Sequence, residues 1–177
     1  MSTRGHVAIK KNGIYRCIYN HHDSHIDSLG ITLYKYFDNE DSVTELINLG
    51  DTSSIHKELK NTAKSYAEHL ARSIEERETV AEFRETQRWG KEFRNYDVTW
   101  EECQAFETKD INDVLAEEYV YIFDADQNKW YIAYCRDKYT LRCLEEVLHS
   151  KELLEQLFSK AYIEEYLPEF YEKCLNA

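Results

Sequence analysis

The sequence predicts an α+β fold: one domain over residues 1–177, with a small antiparallel sheet from an N-terminal and a C-terminal hairpin and several helices packed on it. Three observations carry that expectation. An Asn12-Gly13 dipeptide joins two short alternating runs. A second pair of aromatic and β-branched runs flanks a polar turn at Asp124 to Lys129. Elsewhere, apolar residues recur at helical spacing.

The first hairpin pairs His6 to Lys11 with Ile14 to Tyr19, because Asn-Gly accepts the positive φ angles of a two-residue turn. Val7 and Ile9 alternate with polar neighbours, and Ile14, Arg16 and Ile18 face opposite to Tyr15, Cys17 and Tyr19. Ser28 is placed to cap a helix through Leu29, Leu33 and Phe37. Ser42 is placed to cap a shorter one carrying Val43, Leu46 and Ile47, stopped by Gly50.

Ser53 or Ser54 opens the longest helix, whose face of Ile55, Leu59, Ala63, Tyr66, Ala67, Leu70 and Ile74 is amphipathic. Segment 75–96 is charge-rich, with Val80, Phe83 and Trp89 as apolar points; it either continues as helix or protrudes as a mobile arm. Thr99 and Glu102 fit a capping box. The second hairpin pairs Tyr119 to Phe123 with Trp130 to Cys135. Leu141, Leu144, Val147 and Leu148 then share a helical face, and Leu153, Leu154, Leu157 and Phe158 continue it beyond Ser150. Pro168 interrupts that helix, and Phe170 and Leu175 dock the tail.

Composition narrows the function. Hydrophobic content of 42% with 14% aromatics argues against disorder, and 32% charge describes a water-facing surface. The formal charge of −12 excludes a general nucleic-acid binder, which needs clustered Lys and Arg. An acidic surface serves solubility, or meets a basic partner. Cys17, Cys103, Cys135, Cys143 and Cys174 are scattered without a C-x-x-C pair, so they are expected to be reduced and mostly buried. With no apolar signal core and no membrane-length run, a cytoplasmic protein of host or viral origin is expected.

The densest polar chemistry lies in Tyr19-Asn20-His21-His22-Asp23-Ser24-His25, with Asp27 and Ser28 following. A metal site is disfavoured, because His21 and His25 on a flat strand stand about 13 Å apart while Zn–N bonds are about 2 Å. A turn at Asp23-Ser24 would be needed to fold them together, with Asp27 or His6 completing the shell. Acid–base chemistry would use His21 or His22 as proton acceptor beside Asp23 or Asp27, with Ser24 or Ser28 as nucleophile. No nucleophile-elbow glycines surround either serine. Anion binding is the simplest reading: Arg4, a histidine and the helix start at Ser28-Leu29-Gly30 would grip a phosphate or carboxylate. The bland alternative pairs Arg4 with Asp23 or Asp27 and locks the loop.

Thr3-Arg4-Gly5, then Tyr19-Asn20-His21-x-Asp23-Ser24 and Leu29-Gly30, resembles a family of small uncharacterised phage and bacterial proteins. The likeness covers about the first thirty residues. His25 stands where that pattern usually has an aromatic residue. The resemblance implies a shared N-terminal site or structural knot and a viral origin, and brings no activity.

The expected function is that of a phage-associated binding protein. It would engage a host component, including one of host defence, or sequester a small anionic, nucleotide-like ligand. The ligand contacts expected are Arg4, Gly5, Asn20, His21, Asp23, Ser24, Ser28 and Gly30, with no cofactor and no metal. The rival is a small hydrolase or lyase acting on a phosphorylated or nucleotide substrate, with His21, His22 and Asp23 catalytic. A third reading is an acidic inhibitor that mimics nucleic acid through Glu145, Glu146, Glu152, Glu155, Glu164 and Glu165. Tyrosines and leucines of the C-terminal helices also suit a homodimer interface. Asp124 to Asn128 lacks the glycine and glutamate of a calcium loop and is read as a hairpin turn.

Overall fold

Asn12 (φ 51°) and Gly13 (φ 75°) both occupy the left-handed region, which gives the twist a two-residue hairpin needs. The computed structural model describes residues 3–59, 71, 73, 82–83 and 104–175. Within them lie strands β1 (Gly5–Lys11), β2 (Ile14–Asn20), β3 (Thr52–Ser54), β4 (Glu82–Phe83), β5 (Phe106–Thr108), β6 (Tyr119–Asp124), β7 (Lys129–Tyr134) and β8 (Arg142–Cys143). They form one sheet in the order β4-β3-β2-β1-β6-β7-β8, with β5 also paired to β2.

Both expected hairpins are present, Gly5↔Asn20 to Lys11↔Ile14 and Tyr119↔Tyr134 to Asp124↔Lys129. The sheet is mixed, however, and not purely antiparallel. β1 lies parallel to β6 from Gly5↔Tyr119 to Lys10↔Asp124, which fuses the hairpins into one sheet. The reason is visible in β1, where Gly5 to Ile9 are all buried: a strand covered on both faces belongs in the middle of a sheet. Lys10 and Asp124 close that ladder with an ion pair at 2.8 Å.

Helical cover begins with a wide π-type turn, Ile26–Gly30, running into α1 (Ile31–Tyr36). α2 (Glu40–Asn48) follows, then α3 (Ile111–Val114), α4 (Leu144–His149), α5 (Lys151–Leu157), α6 (Lys160–Tyr166) and α7 (Pro168–Leu175). Ser28 is not the first cap, because the helix starts at Ile26, behind an extended His25. The carbonyl of His25 accepts the amides of Ser28 and Gly30, both at 3.2 Å. Ser42 is not a cap either: the Asn39 side chain accepts from the Ser42 amide. Gly50, at φ 80°, ends α2 as expected, and Pro168 opens α7.

Ser53 and Ser54 start no helix. They belong to β3, which runs parallel to β2 at Asn20↔Thr52 and antiparallel to β4. Ile55 to Leu59, at the expected start of the long helix, are not helical; its face from Ala63 to Ile74, most of segment 75–96 and the Thr99/Glu102 box lie outside the described residues.

The sheet separates two apolar layers. On one face Val7, Ile9, Ile18, Tyr121 and Phe123 pack against Leu29, Leu33, Leu46, Leu144, Leu148 and Leu154. Each such Leu or Ile contributes about 1.5–3 kcal/mol by leaving water. On the other face Ala8, Cys17, Val120, Ile122 and Ala133 meet Val114 of α3. Among the described residues no helix is long and apolar enough to cross a membrane.

Candidate functional site

The start of β1 and the end of β2 meet at Gly5↔Asn20, and there the polar segment leaves the sheet. The parallel ladder with β3 is prolonged by His21 N–H to Thr52 O (3.1 Å) and His22 N–H to Ser53 O (2.8 Å). Asp23 then takes φ 57°, a left-handed conformation that Asp tolerates, and reverses the chain. Ser24 returns beneath the strand ends, its amide donating to Thr3 O at 3.2 Å.

Asn20 is the centre of this knot. It is fully buried, and its Nδ2 donates to His22 O (2.5 Å) and Ser24 Oγ (2.8 Å). Its Oδ1 accepts from Thr52 Oγ1 at 3.0 Å. Tyr121, also buried, donates its hydroxyl to Ser24 O at 3.0 Å. Gly5 has no room for a side chain, since a Cβ there would meet Ser24 Cβ and Oγ at 2.7 Å. A Cβ on Gly30 would meet Ile26 Cγ1 at 3.0 Å and the Tyr121 hydroxyl at 3.2 Å. Gly5, Asn20, Ser24 and Gly30 therefore brace the loop from below.

Strand alternation divides the histidines. Asn20 shares the face of Gly5 and Ser24, while Tyr19 pairs with His6 on the opposite face. There His6 Nδ1–H donates to Val114 O at 2.8 Å, and its ring stands edge-on to Tyr19 and Phe106. The Tyr19 hydroxyl bonds His21 Nδ1 at 2.9 Å, and the His21 and His22 ring centroids lie 4.4 Å apart. The Tyr19 amide donates to Asp51 Oδ1 at 2.8 Å.

On the Asn20 side His25 Nε2 lies 2.5 Å from Thr3 Oγ1, and the ring is edge-on to Tyr119 at 5.6 Å. His25 Nδ1 is buried without a hydrogen-bond partner among the described residues. Asp27 accepts the Tyr162 hydroxyl and does not pair with Arg4. Arg4 is exposed and forms no ion pair among the described residues, and Asp23 is exposed at the turn of the loop.

The nucleophiles are withdrawn. Ser24 and Cys17 are both fully buried, and burial, reinforced by Asp51, pushes the Cys17 thiol far above its ordinary range. Ser28 is half-buried, with its amide already spent on His25 O. Among the described residues no cluster of His, Cys, Asp or Glu could hold a metal ion.

Sequence reasoning missed Asp51 and Thr52, and named Thr3 only as part of the Thr3-Arg4-Gly5 motif; all three complete the bracing. Thr52 sits in a Thr-Ser-Ser run just after Gly50, and that β-tolerant polar run was the available signal of a short strand. No protein-family model matches the chain, and neither the curated proteins nor the solved structures contain a match to it.

Proposed function

We propose that this chain is a binding protein without turnover chemistry, taking a small anionic, nucleotide-like ligand at the Arg4/Asp23 end of its sheet. One observation carries the reading. The loop 20–25 is fixed from beneath by Asn20, Ser24, Gly5 and Tyr121, while Arg4 stays exposed with its guanidinium uncommitted among the described residues. The backbone around Arg4 is already fixed, so an arriving anion has mainly the arginine side chain left to order. Arginine also supplies the planar fork that matches phosphate and carboxylate.

The burial of Ser24 and Cys17 supports binding over covalent catalysis, since neither hydroxyl nor thiol reaches solvent. The resemblance of about the first thirty residues to small phage and bacterial proteins is the ground for a setting in which the ligand, or a macromolecule bearing it, belongs to a host.

A second reading has one observation in its favour. Thr3 Oγ1 stands within hydrogen-bond reach of His25 Nε2, the spacing of a nucleophile and its base. Prolonged incubation with nucleotides and phosphate esters, followed by chromatography, separates the two. Unaltered compounds are expected. A product whose formation is lost in His25→Ala would replace the binding reading with a hydrolytic one.

A further inference from the structure

We propose that the outer face of α6 is a docking spot for a positively charged side chain, arginine above all, carried by a partner protein. The face ends a column of aromatic rings that begins in the core. Tyr119 stacks on Tyr134 at 4.4 Å (14°), Tyr134 on Phe158 at 6.1 Å (23°) and Phe158 on Tyr162 at 5.3 Å (22°). Tyr166 lies beyond Tyr162 at 5.0 Å, tilted by 40°, and is 49% exposed. The column runs from a buried strand to water.

A surface ring anchored in this way has already lost its rotamer freedom, so engaging it orders little that was mobile. Tyrosine faces attract cations through their quadrupole, and arginine adds stacking on the ring plane.

The rim is acidic. Asp27 accepts the Tyr162 hydroxyl, and Glu165 is the neighbour of Tyr166 on α6. Neither carboxylate forms an ion pair among the described residues, whereas Lys160, the one cation of α6, pairs with Glu164 at 3.6 Å. Proximity to the Glu165 carboxylate pushes the Tyr166 hydroxyl up. From Leu144 to Leu175 there are eight glutamates against three lysines, and the whole chain carries −12. That field draws basic partners. An apolar partner would strand the Asp27 and Glu165 carboxylates; a guanidinium satisfies them.

The test is calorimetric titration of a hexa-arginine peptide into the full chain at physiological salt. Tyr166→Ala should weaken binding about 5–10-fold, and Tyr166→Phe, which keeps the ring, should restore it to about wild type. Glu165→Gln should weaken it about threefold, while Glu152→Gln on α5 should leave it within about twofold. Equal affinity in Tyr166→Ala and wild type would overturn the proposal, because diffuse charge would then suffice. Failure of the peptide to bind wild type would overturn it as well. Neither result touches the Arg4 site, which lies on other residues and is read with anions.

Discussion

Gly5 and Ser24 are in contact so close that a Cβ on the glycine would lie 2.7 Å from both Cβ and Oγ of the serine. On its other side the same atom would come within 3.0 Å of the Tyr119 carbonyl, which is backbone and cannot swing aside. Gly5→Ala should therefore destabilise the protein by about 1–3 kcal/mol, read by urea unfolding. Adding Ser24→Gly should recover part of that loss despite removing a bond to Asn20. Strict additivity of the two substitutions would show that the contact is not the cause.

Asn20 is the costliest side chain of the loop to remove. Asn20→Ala leaves Ser24 Oγ, His22 O and Thr52 Oγ1 without a shared partner in a fully buried site. A loss of about 2–4 kcal/mol is expected, from more than one abandoned polar group at about 1–3 kcal/mol each. Thermal unfolding reads it, at roughly 2–4 °C per kcal/mol for a chain of this size. A melting temperature within a degree of wild type would contradict the knot.

Much of this was legible in the sequence, and the failures have physical reasons. Asn12-Gly13 announced its hairpin because few dipeptides take two positive φ angles in succession. The β1·β6 pairing left no such trace: it joins segments more than a hundred residues apart, and only tertiary burial selects it. Ser28 and Ser42 have the chemistry of caps, yet the accepting groups are the His25 carbonyl and the Asn39 side chain. The histidines looked like one cluster in the linear sequence. A strand sends alternate residues to opposite faces, so His21 went with Tyr19, and the reversal at Asp23 then carried Ser24 and His25 to Gly5 and Thr3.

Asp124 gives the hairpin junction a pH dependence. Burial works to raise its carboxyl, but the Lys10 ammonium and the amides of Gln127 and Asp126 outweigh it and hold the carboxyl below its ordinary value. A group depressed in the folded state stabilises above its unfolded value, about pH 4, and loses that contribution as pH falls through the lower folded value. Asp124→Asn should thus be less stable than wild type at neutral pH, with the gap narrowing below about pH 4. A gap of constant size across the acid range would contradict this assignment.

Thiol accessibility offers a simple check on the core. All four described cysteines are free; Cys17 and Cys143 are buried, and Cys135 and Cys174 are half-buried. Iodoacetamide at about pH 8, where an ordinary thiol is partly ionised, should modify Cys135 and Cys174 and spare Cys17 in the native protein. Early labelling of Cys17, located by peptide mapping, would mean that the α3 face of the sheet opens.

Thermal unfolding of wild type and Arg4→Ala, with and without inorganic phosphate, nucleotides and cyclic nucleotides, tests the central claim most directly. A ligand at a hundred times its dissociation constant adds about 2.7 kcal/mol, a shift of several degrees. Such a shift is expected in wild type with at least one of these anions, and its loss in Arg4→Ala. No shift with any anion, or one that survives undiminished in Arg4→Ala, would contradict it.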